Sequence, residues 1–489
     1  MLRTRRRGVS AIELTPAFLA AAGLAAVMLA AAAGPVSAQT LPDALAQAYA
    51  YNPQLDAERA RLRATDEDVA RANSGYRPDI NASGNVTYDK SYADPSTFSQ
   101  GANTSKGYAI QAIQPIFRGF RVVNAVNAAE ASVRAGRETL RFTEQDVLLQ
   151  AVTAYGDTLR DLAIVRLREN NVNFLSEELK ATQDRFAVGE VTRTDVAQSE
   201  ARLAAGRSDL DLARANLKVS RASYEQVIGS PPQRLSEPNP NIALVPRSLE
   251  EAIGIGTQEN PQVVGALYRE QAAKYLVDQI RGELLPQAQV EATYSETFDP
   301  NGSISRAEST SVVGRLNVPI YPAGGEVYAR VRQAKHTHIS VLQEIEQARA
   351  LVQAQVVQSW ALLQSFKAQS VSDRAQIQAN QTALAGVREE EKVGQRTLLD
   401  VLDAQRELLN SQVQLETTKR NILVASYTVV SAVGRLNVAE VGVVSTAYDP
   451  EAHYEEVRRK WWGIEITHDD GRVEHMDQWN TRVEHEPVK

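Results

Sequence analysis

Between Glu391 and Gln405 the chain reads EKVGQRTLLDVLDAQ, in which a Val-Gly pair is followed by Arg396 and then by two aspartates, Asp400 and Asp403. Residues three apart on a helix share a face. Two carboxylates are therefore stacked on one face just beyond a turn. A related string, AVGEVTRTDVAQSEA, occupies residues 187–201. Thr397 to Asp400 and Thr192 to Asp195 both fit the Ser/Thr-x-x-Asp/Glu pattern of a helix N-terminus, so Asp195 and Asp400 can each serve as a capping carboxylate. Asp403 falls one turn further on, where the earlier string has Gln198. Capping does not require it.

Other chemistry is thinly represented. The absence of cysteine removes disulfides, thiolate metal ligation, a thiol nucleophile and a lipid-modified N-terminal Cys. There is no Gly-rich phosphate loop, Gly-x-Ser-x-Gly or His-Glu-x-x-His. His336 and His338 lie two apart on an expected helix, which points their rings in different directions. No cofactor, metal or enzymatic activity is expected. The first residues read as an export signal over 1–38, with Arg3, Arg5, Arg6 and Arg7 before an apolar run and Val36-Ser37-Ala38 as the cleavage site. The leader's four Arg against Glu13 contribute +3 to a net −7, leaving the mature chain at −10. That balance argues against a nucleic-acid partner. After Gln39 no stretch approaches the roughly 20 apolar residues of a membrane-spanning helix.

The elements that position the two strings are built twice. Asn52-Pro53 recurs as Asn260-Pro261, Pro115-Ile116-Phe117 as Pro319-Ile320-Tyr321, Val188-Gly189 as Val393-Gly394, and Ile228-Gly229 as Val433-Gly434. The landmarks keep one order and one spacing, which identifies an internal duplication. We expect a first repeat over 39–229, a Pro-rich linker over 230–247, a second repeat over 248–440 and a C-terminal tail over 441–489. Within each repeat comes a helical segment (41–75 and 249–284), a strand pair, a very long helix and, after the Val-Gly turn, a final helix. The long segments, 120–186 and 324–391, contain no proline and extend ~100 Å as helices. Their apolar residues follow the 3.5-residue period of a coiled coil: Leu148, Val152, Tyr155, Leu159 and Leu162 in one, Val352, Val356, Ser359, Leu363 and Phe366 in the other. Such narrow stripes imply a wall of antiparallel helices.

The strand segments alternate with period two. Ile80, Ala82, Gly84, Val86, Tyr88 and Tyr92 take one face against Asn81, Ser83, Asn85 and Thr87, and Val290, Ala292, Tyr294 and Phe298 oppose Gln289, Glu291, Thr293 and Ser295. Apolar-out and polar-in over ten or more residues is the pattern of a membrane β-barrel strand. Prolines 78, 115, 286 and 319 mark the four strand ends. Four strands cannot close such a barrel, whereas three chains would supply twelve.

With duplication, segment lengths and Val-Gly turns together, residues 41–440 resemble the TolC family of trimeric outer-membrane channel-tunnels. The resemblance implies an α+β fold in which an outer-membrane barrel continues into a helical coiled-coil tunnel across the periplasm. It also implies a passive exit duct for efflux or type I secretion, a homotrimer in contact with outer-membrane lipid. The duct would be opened at its tip by a periplasmic adaptor and an inner-membrane ABC or RND transporter. Asp400 and Asp403 are then expected as stacked constriction rings, and Arg396 as the basic partner of Thr194 and Asp195 in a neighbouring helix pair. One departure stands out. Glu391 occupies the place of a Tyr that in the family's well-known member hydrogen-bonds the Asp matching Asp195. A carboxylate there would repel Asp195, so Glu391 is expected to pair with Arg185 or Arg193. The rival reading is a periplasmic coiled-coil adaptor, which shares the long hairpins but has no use for duplicated strand pairs. The tail, with Trp461, Trp462 and Trp479, is expected outside the tunnel, against the helical wall or disordered.

Overall fold

The structure, a computed structural model, describes residues 38–91, 101–238, 244–301, 303–442, 447–468 and 472–474. Nearly all of the expected leader, the outward position of Tyr92 and Trp479 lie outside the described residues.

In the first half, α1 (Leu41–Tyr51) and α2 (Pro53–Asn73) precede β1 (Asp79–Ser91), β2 (Gly101–Arg118), α3 (Arg121–Ala187) and α4 (Arg193–Ile228). The second half repeats the order as α5 (Leu249–Glu259), α6 (Pro261–Arg281), β3 (Gln287–Asn301), β4 (Ile304–Asn317), α7 (Glu326–Lys392) and α8 (Leu398–Ala432). The long helices have 67 residues each, so each is ~100 Å long. One expectation is refined: the helical segments 41–75 and 249–284 are each two helices. Asn52 and Asn260 end one helix in extended backbone and cap the next by accepting from Gln54 N and Gln262 N, with proline at N1. Each Asn side chain also reaches across the fold, to Val227 O and Ala432 O respectively.

The segment lengths determine how the wall is tiled. The α1–α2 pair and α4 lie along α3, while α5–α6 and α8 lie along α7, and α3 also packs against both α6 and α8. The seam positions face inward as their spacing requires: Leu148, Val152, Tyr155, Val352, Val356 and Leu363 are fully buried. The largest cluster joins both halves, with Leu45, Leu55, Tyr155, Tyr224, Leu423 and Val430 in contact around the closely approaching Ala44, Ala48 and Ala151. Tyr155 keeps its hydroxyl satisfied there by donating to Ser236 O at 2.7 Å and to Gln39 O at 3.0 Å.

The four long strands form one antiparallel sheet in the order β1-β2-β3-β4. The strands β1 and β2 pair from Asp79 with Ile113 to Ser91 with Gly101, and β2 meets β3 across the two halves with Ala112 opposite Ala292. Along β2, Tyr108 and Ile110 are on the exposed face while their neighbours are partly shielded. Glu296 falls on that same apolar face, where the alternation calls for an apolar residue. Its carboxylate is sequestered by the Tyr108 hydroxyl at 2.5 Å and Arg306 Nε at 2.6 Å. No residue of β4 is covered, and both β1 and β4 leave one backbone edge unpaired within the chain.

Sheet turns into helix through consecutive left-handed residues, two in the first half (Gly119-Phe120 before α3) and three in the second (Ala323-Gly324-Gly325 before α7). The duplication keeps a left-handed bend here but lengthens it by one residue, and glycine stands directly before the helix only in the second half.

Candidate functional site

The site singled out in the sequence lies at the end of the helical hairpins opposite the sheet, and its two turns share one construction. Beyond α3, Gly189 (φ +84°) donates to Phe186 O and Glu190 N to Arg185 O; beyond α7, Gly394 (φ +76°) donates to Glu391 O and Gln395 N to Glu390 O. This is the Schellman arrangement, and a left-handed residue at that place favours glycine. Val188 and Val393 beside the glycines are more than 70 % exposed, so the turns project beyond the packed wall.

Each following helix opens on a complete capping box. Thr192 N donates to Asp195 Oδ2 at 2.8 Å while Asp195 N donates to Thr192 Oγ1 at 3.3 Å. Thr397 and Asp400 repeat the pattern at 3.0 and 3.3 Å. These bonds favour the ionised carboxylate. The Thr192 hydroxyl, then its backbone amide, holds Asp195 below its ordinary value, and the Thr397 amide, then its hydroxyl, does so for Asp400. Both aspartates are therefore caps, and being charged and accessible on one side they retain a field toward solvent.

Asp403 is engaged differently. Its Oδ1 lies 2.8 Å from Arg202 Nη2 on α4 and 3.4 Å from Arg406 one turn on. Leu175, Leu203, Leu398 and Leu402 pack beneath this pair, so the ion pair lies over an apolar contact between the two hairpins. Arg202 carried no sequence signal of its own, because its partner is 201 residues away.

Of the two cations open to Glu391, the structure pairs it with Arg185, whose Nη1 donates to Oε1 at 2.5 Å. The pair joins the last turns of α3 and α7, with Glu391 largely covered and Arg185 about a third exposed. The hydrogen bond to Glu391 raises the Arg185 guanidinium above its ordinary value. Glu178 lies nearby, and burial, ahead of its neighbours' charges, pushes its carboxyl up. Arg388 covers the Phe174 ring at 4.8 Å and completes the basic side of the cluster.

Within the chain Arg396 pairs locally. Its Nε donates to Glu390 on its own turn at 2.9 Å rather than to Thr194 or Asp195. The local i−6 partner is reached without leaving the turn, and both side chains are about half exposed. Thr194 is exposed on the first turn of α4. Away from the tip, His338 Nε2 pairs with Glu270 at 2.6 Å on α6, and Trp360 packs among Val352, Val356 and Leu363.

The sequence matches the family described as Outer membrane efflux protein over residues 44–230 and again over 255–435, one match for each half. It is 38% identical to the outer membrane efflux protein BepC of Brucella suis biovar 1 (strain 1330), over 89% of this chain and 93% of that one. It is 24% identical to the outer membrane protein TolC of Escherichia coli (strain K12), covering 84% of this chain and 85% of that one. Among solved structures, the Campylobacter jejuni CmeC outer membrane channel superposes with a TM-score of 0.73 at 16% identity, over 86% of this chain and 89% of that chain. Both halves, their shared architecture and the full-length relatives agree: the chain belongs to the outer membrane efflux protein family, and is a TolC-type exit duct that spans the outer membrane and extends into the periplasm.

Proposed function

We propose that the chain works as a homotrimer whose three sheets close one twelve-stranded barrel, and that it is a passive conduit opened at the tip. The observation that carries this reading is the sheet itself: four long strands, with unpaired edges on β1 and β4. Unpaired strand edges of that length are not tolerated in lipid, because every backbone group there needs a partner. Exposed apolar surface on α7 supports it, since Ile339, Leu351, Leu362 and Val371 are exposed although the seam residues are buried. A neighbouring protomer's helices would cover it. In mild detergent the mature protein is expected to run as a trimer rich in helix. A monodisperse monomer with intact secondary structure would sink the proposal.

The repeats 39–229 and 248–440 are the two units of each protomer on this reading, joined by 230–247. At the tip, three copies of Asp400 and Asp403 form stacked constriction rings that attract cations, and Arg396 supplies a contact to Thr194 or Asp195 of an adjacent hairpin when protomers assemble. A periplasmic adaptor and an inner-membrane ABC or RND transporter engage this end, and the transporter provides the energy. Planar-bilayer recording tests the ring assignment: Asp400→Asn with Asp403→Asn should weaken cation selectivity and block by trivalent cations from the periplasmic side. Unchanged block in the double variant would return Asp400 to a capping role alone.

A further inference from the structure

The segment after the second half is not loosely attached. Tyr448 N donates to the Tyr49 hydroxyl at 2.9 Å, with Arg59 over the Tyr448 ring. Its helix α9 (Ala452–Val457) then brings His453 Nδ1 to 3.1 Å from the buried Asp66, and Val457 is almost fully covered. Glu451 pairs with Arg137 of α3 at 2.8 Å, and Asn73 at the end of α2 donates to Arg458 O at 3.2 Å. Residues 448, 453 and 458 thus meet positions 49, 66 and 73 in turn. The segment is a strap running along α2 toward the sheet.

The strap ends where the sheet begins. Arg77, two residues before β1, covers the Trp461 ring at 4.7 Å. Beyond that contact Trp461 is 60% and Trp462 80% exposed, followed by the exposed Ile464 and Ile466. Immediately before them stand Arg458, Arg459 and Lys460, of which Arg458 pairs with Glu455 at 2.7 Å one turn back and Lys460 Nζ donates to Glu465 O at 3.0 Å. Tyr76, Phe120 and Tyr321, at three of the strand–helix junctions, are likewise exposed at this level. Two adjacent indoles held in water by a strap whose anchors Tyr448, His453 and Val457 are at least partly covered are costly, since large aromatic surface gains from leaving water. An indole has an apolar body and one N–H donor, which suits the headgroup level of a bilayer.

We propose that the segment Arg458 to Ile464 docks on the phospholipid headgroup layer of the periplasmic leaflet, with Trp461 and Trp462 entering the interface and the three cations meeting the phosphates. Two features select lipid as the occupant. The indoles are continuous with the membrane-entry level of the sheet, and a run of cations next to aromatics complements an anionic headgroup surface. The strap then fixes how deep the barrel sits and resists axial movement when the tip is pulled.

The test compares the full-length wild type with Trp461→Phe/Trp462→Phe, both reconstituted in vesicles of phosphatidylethanolamine and phosphatidylglycerol, with and without bromine on the acyl carbons nearest the headgroup. Bromolipid should lower wild-type tryptophan emission by roughly a third, because two of the four tryptophans would sit within reach of the bromines. The Phe variant should be quenched far less. Both substituted side chains are exposed, so folding and co-flotation with vesicles are expected to be unchanged. Equal fractional quenching in the two proteins overturns the proposal. So does blue-shifted wild-type emission insensitive to bromolipid, which would put the indoles against a neighbouring copy. Wild-type emission quenched by aqueous iodide but not by bromolipid would place them in water and overturn it as well. In the intact-Trp background, Arg458→Gln/Arg459→Gln/Lys460→Gln should reduce quenching by brominated phosphatidylglycerol more than by brominated phosphatidylethanolamine, and equal loss from both would remove the electrostatic part.

Discussion

Arg185 and Glu391 join the last turns of α3 and α7 by a 2.5 Å hydrogen bond, although 206 residues separate them in the chain. The repeat places Arg185 opposite Glu390 and Phe186 opposite Glu391. The two halves therefore meet through unlike residues one position apart in the repeat. A partly exposed pair contributes only ~1 kcal/mol once solvent screening is allowed for, but a trimer would hold three in parallel. Arg185→Ser or Glu391→Gln should raise single-channel conductance without loss of trimers. The exchange Arg185→Glu with Glu391→Arg should return it toward wild type, and failure of the exchange to do so would mean that the single variants act through packing.

Arg396 offers a contrast measured in the same recording. Its half-exposed pair with Glu390 links residues of one turn, so within the chain it holds nothing together across elements. Arg396→Ser should therefore raise conductance less than Glu391→Gln. A larger effect from Arg396 would locate the decisive link between protomers, at Thr194 or Asp195.

The two ring aspartates are expected to differ. Asp400 keeps its charge facing solvent while capping, whereas Asp403 is partly neutralised by Arg202 at 2.8 Å. Asp400→Asn should then weaken trivalent-cation block more than Asp403→Asn. Arg202→Ala should strengthen it by leaving Asp403 with Arg406 alone, by about fivefold if ~1 kcal/mol of pairing is released. Block that is weaker in Arg202→Ala would show that the pair serves to position the carboxylate rather than to neutralise it.

Much of this is legible in the sequence, and the boundary follows physical range. Element order, the 67-residue helices, the strand faces and the capping boxes at Thr192 and Thr397 are encoded by neighbours a few residues apart, so periodicity and spacing expose them. The break at Asn52-Pro53 was equally local and had only to be read as a cap followed by N1 proline. Arg202 with Asp403 was not legible, because nothing near Arg202 distinguishes it from any other wall arginine. Glu296 contradicts the strand alternation for the same reason: its partners Tyr108 and Arg306 come from two other strands. The strap at 448–468 lacks any periodicity and is defined wholly by what it touches.

Acid should loosen the tip at its helix starts. Asp195 and Asp400 are held below the ordinary carboxylate value of 3.8, so their capping bonds contribute stability that is fully present above that value and is lost as pH falls through the lowered one. Amide protection at residues 192–196 and 397–401, corrected for intrinsic exchange, should be flat from pH 8 to about pH 5 and collapse only in stronger acid. Asp400→Ala should lower protection around 397–401 at every pH and abolish the acid step there while sparing 192–196. A wild-type midpoint above the ordinary value would contradict the capping assignment.

The junction between tunnel and sheet depends on two glycines that oppose one another. Gly119, left-handed at φ +61°, and Gly282, at the end of α6, lie so close that a Cβ on either would meet the other's carbonyl oxygen. Those obstacles are backbone, which cannot yield by changing rotamer. Around them Arg121 and Arg330 both reach Glu283, so the start of α3, the end of α6 and the start of α7 are tied at one point. Gly282→Ala must separate α6 from the β2–α3 bend, and overpacking of this kind costs about 1–3 kcal/mol or more where both sides are rigid. Gly386→Ala is the control, since it is helical with open space around its Cβ and should stabilise by about 0.5–1 kcal/mol through reduced backbone entropy. Thermal dissociation of the detergent-solubilised protein should move down for Gly282→Ala and slightly up for Gly386→Ala. Equal midpoints for Gly282→Ala and wild type would mean that the bend has slack, and that the sheet is not held on the tunnel by this crossing.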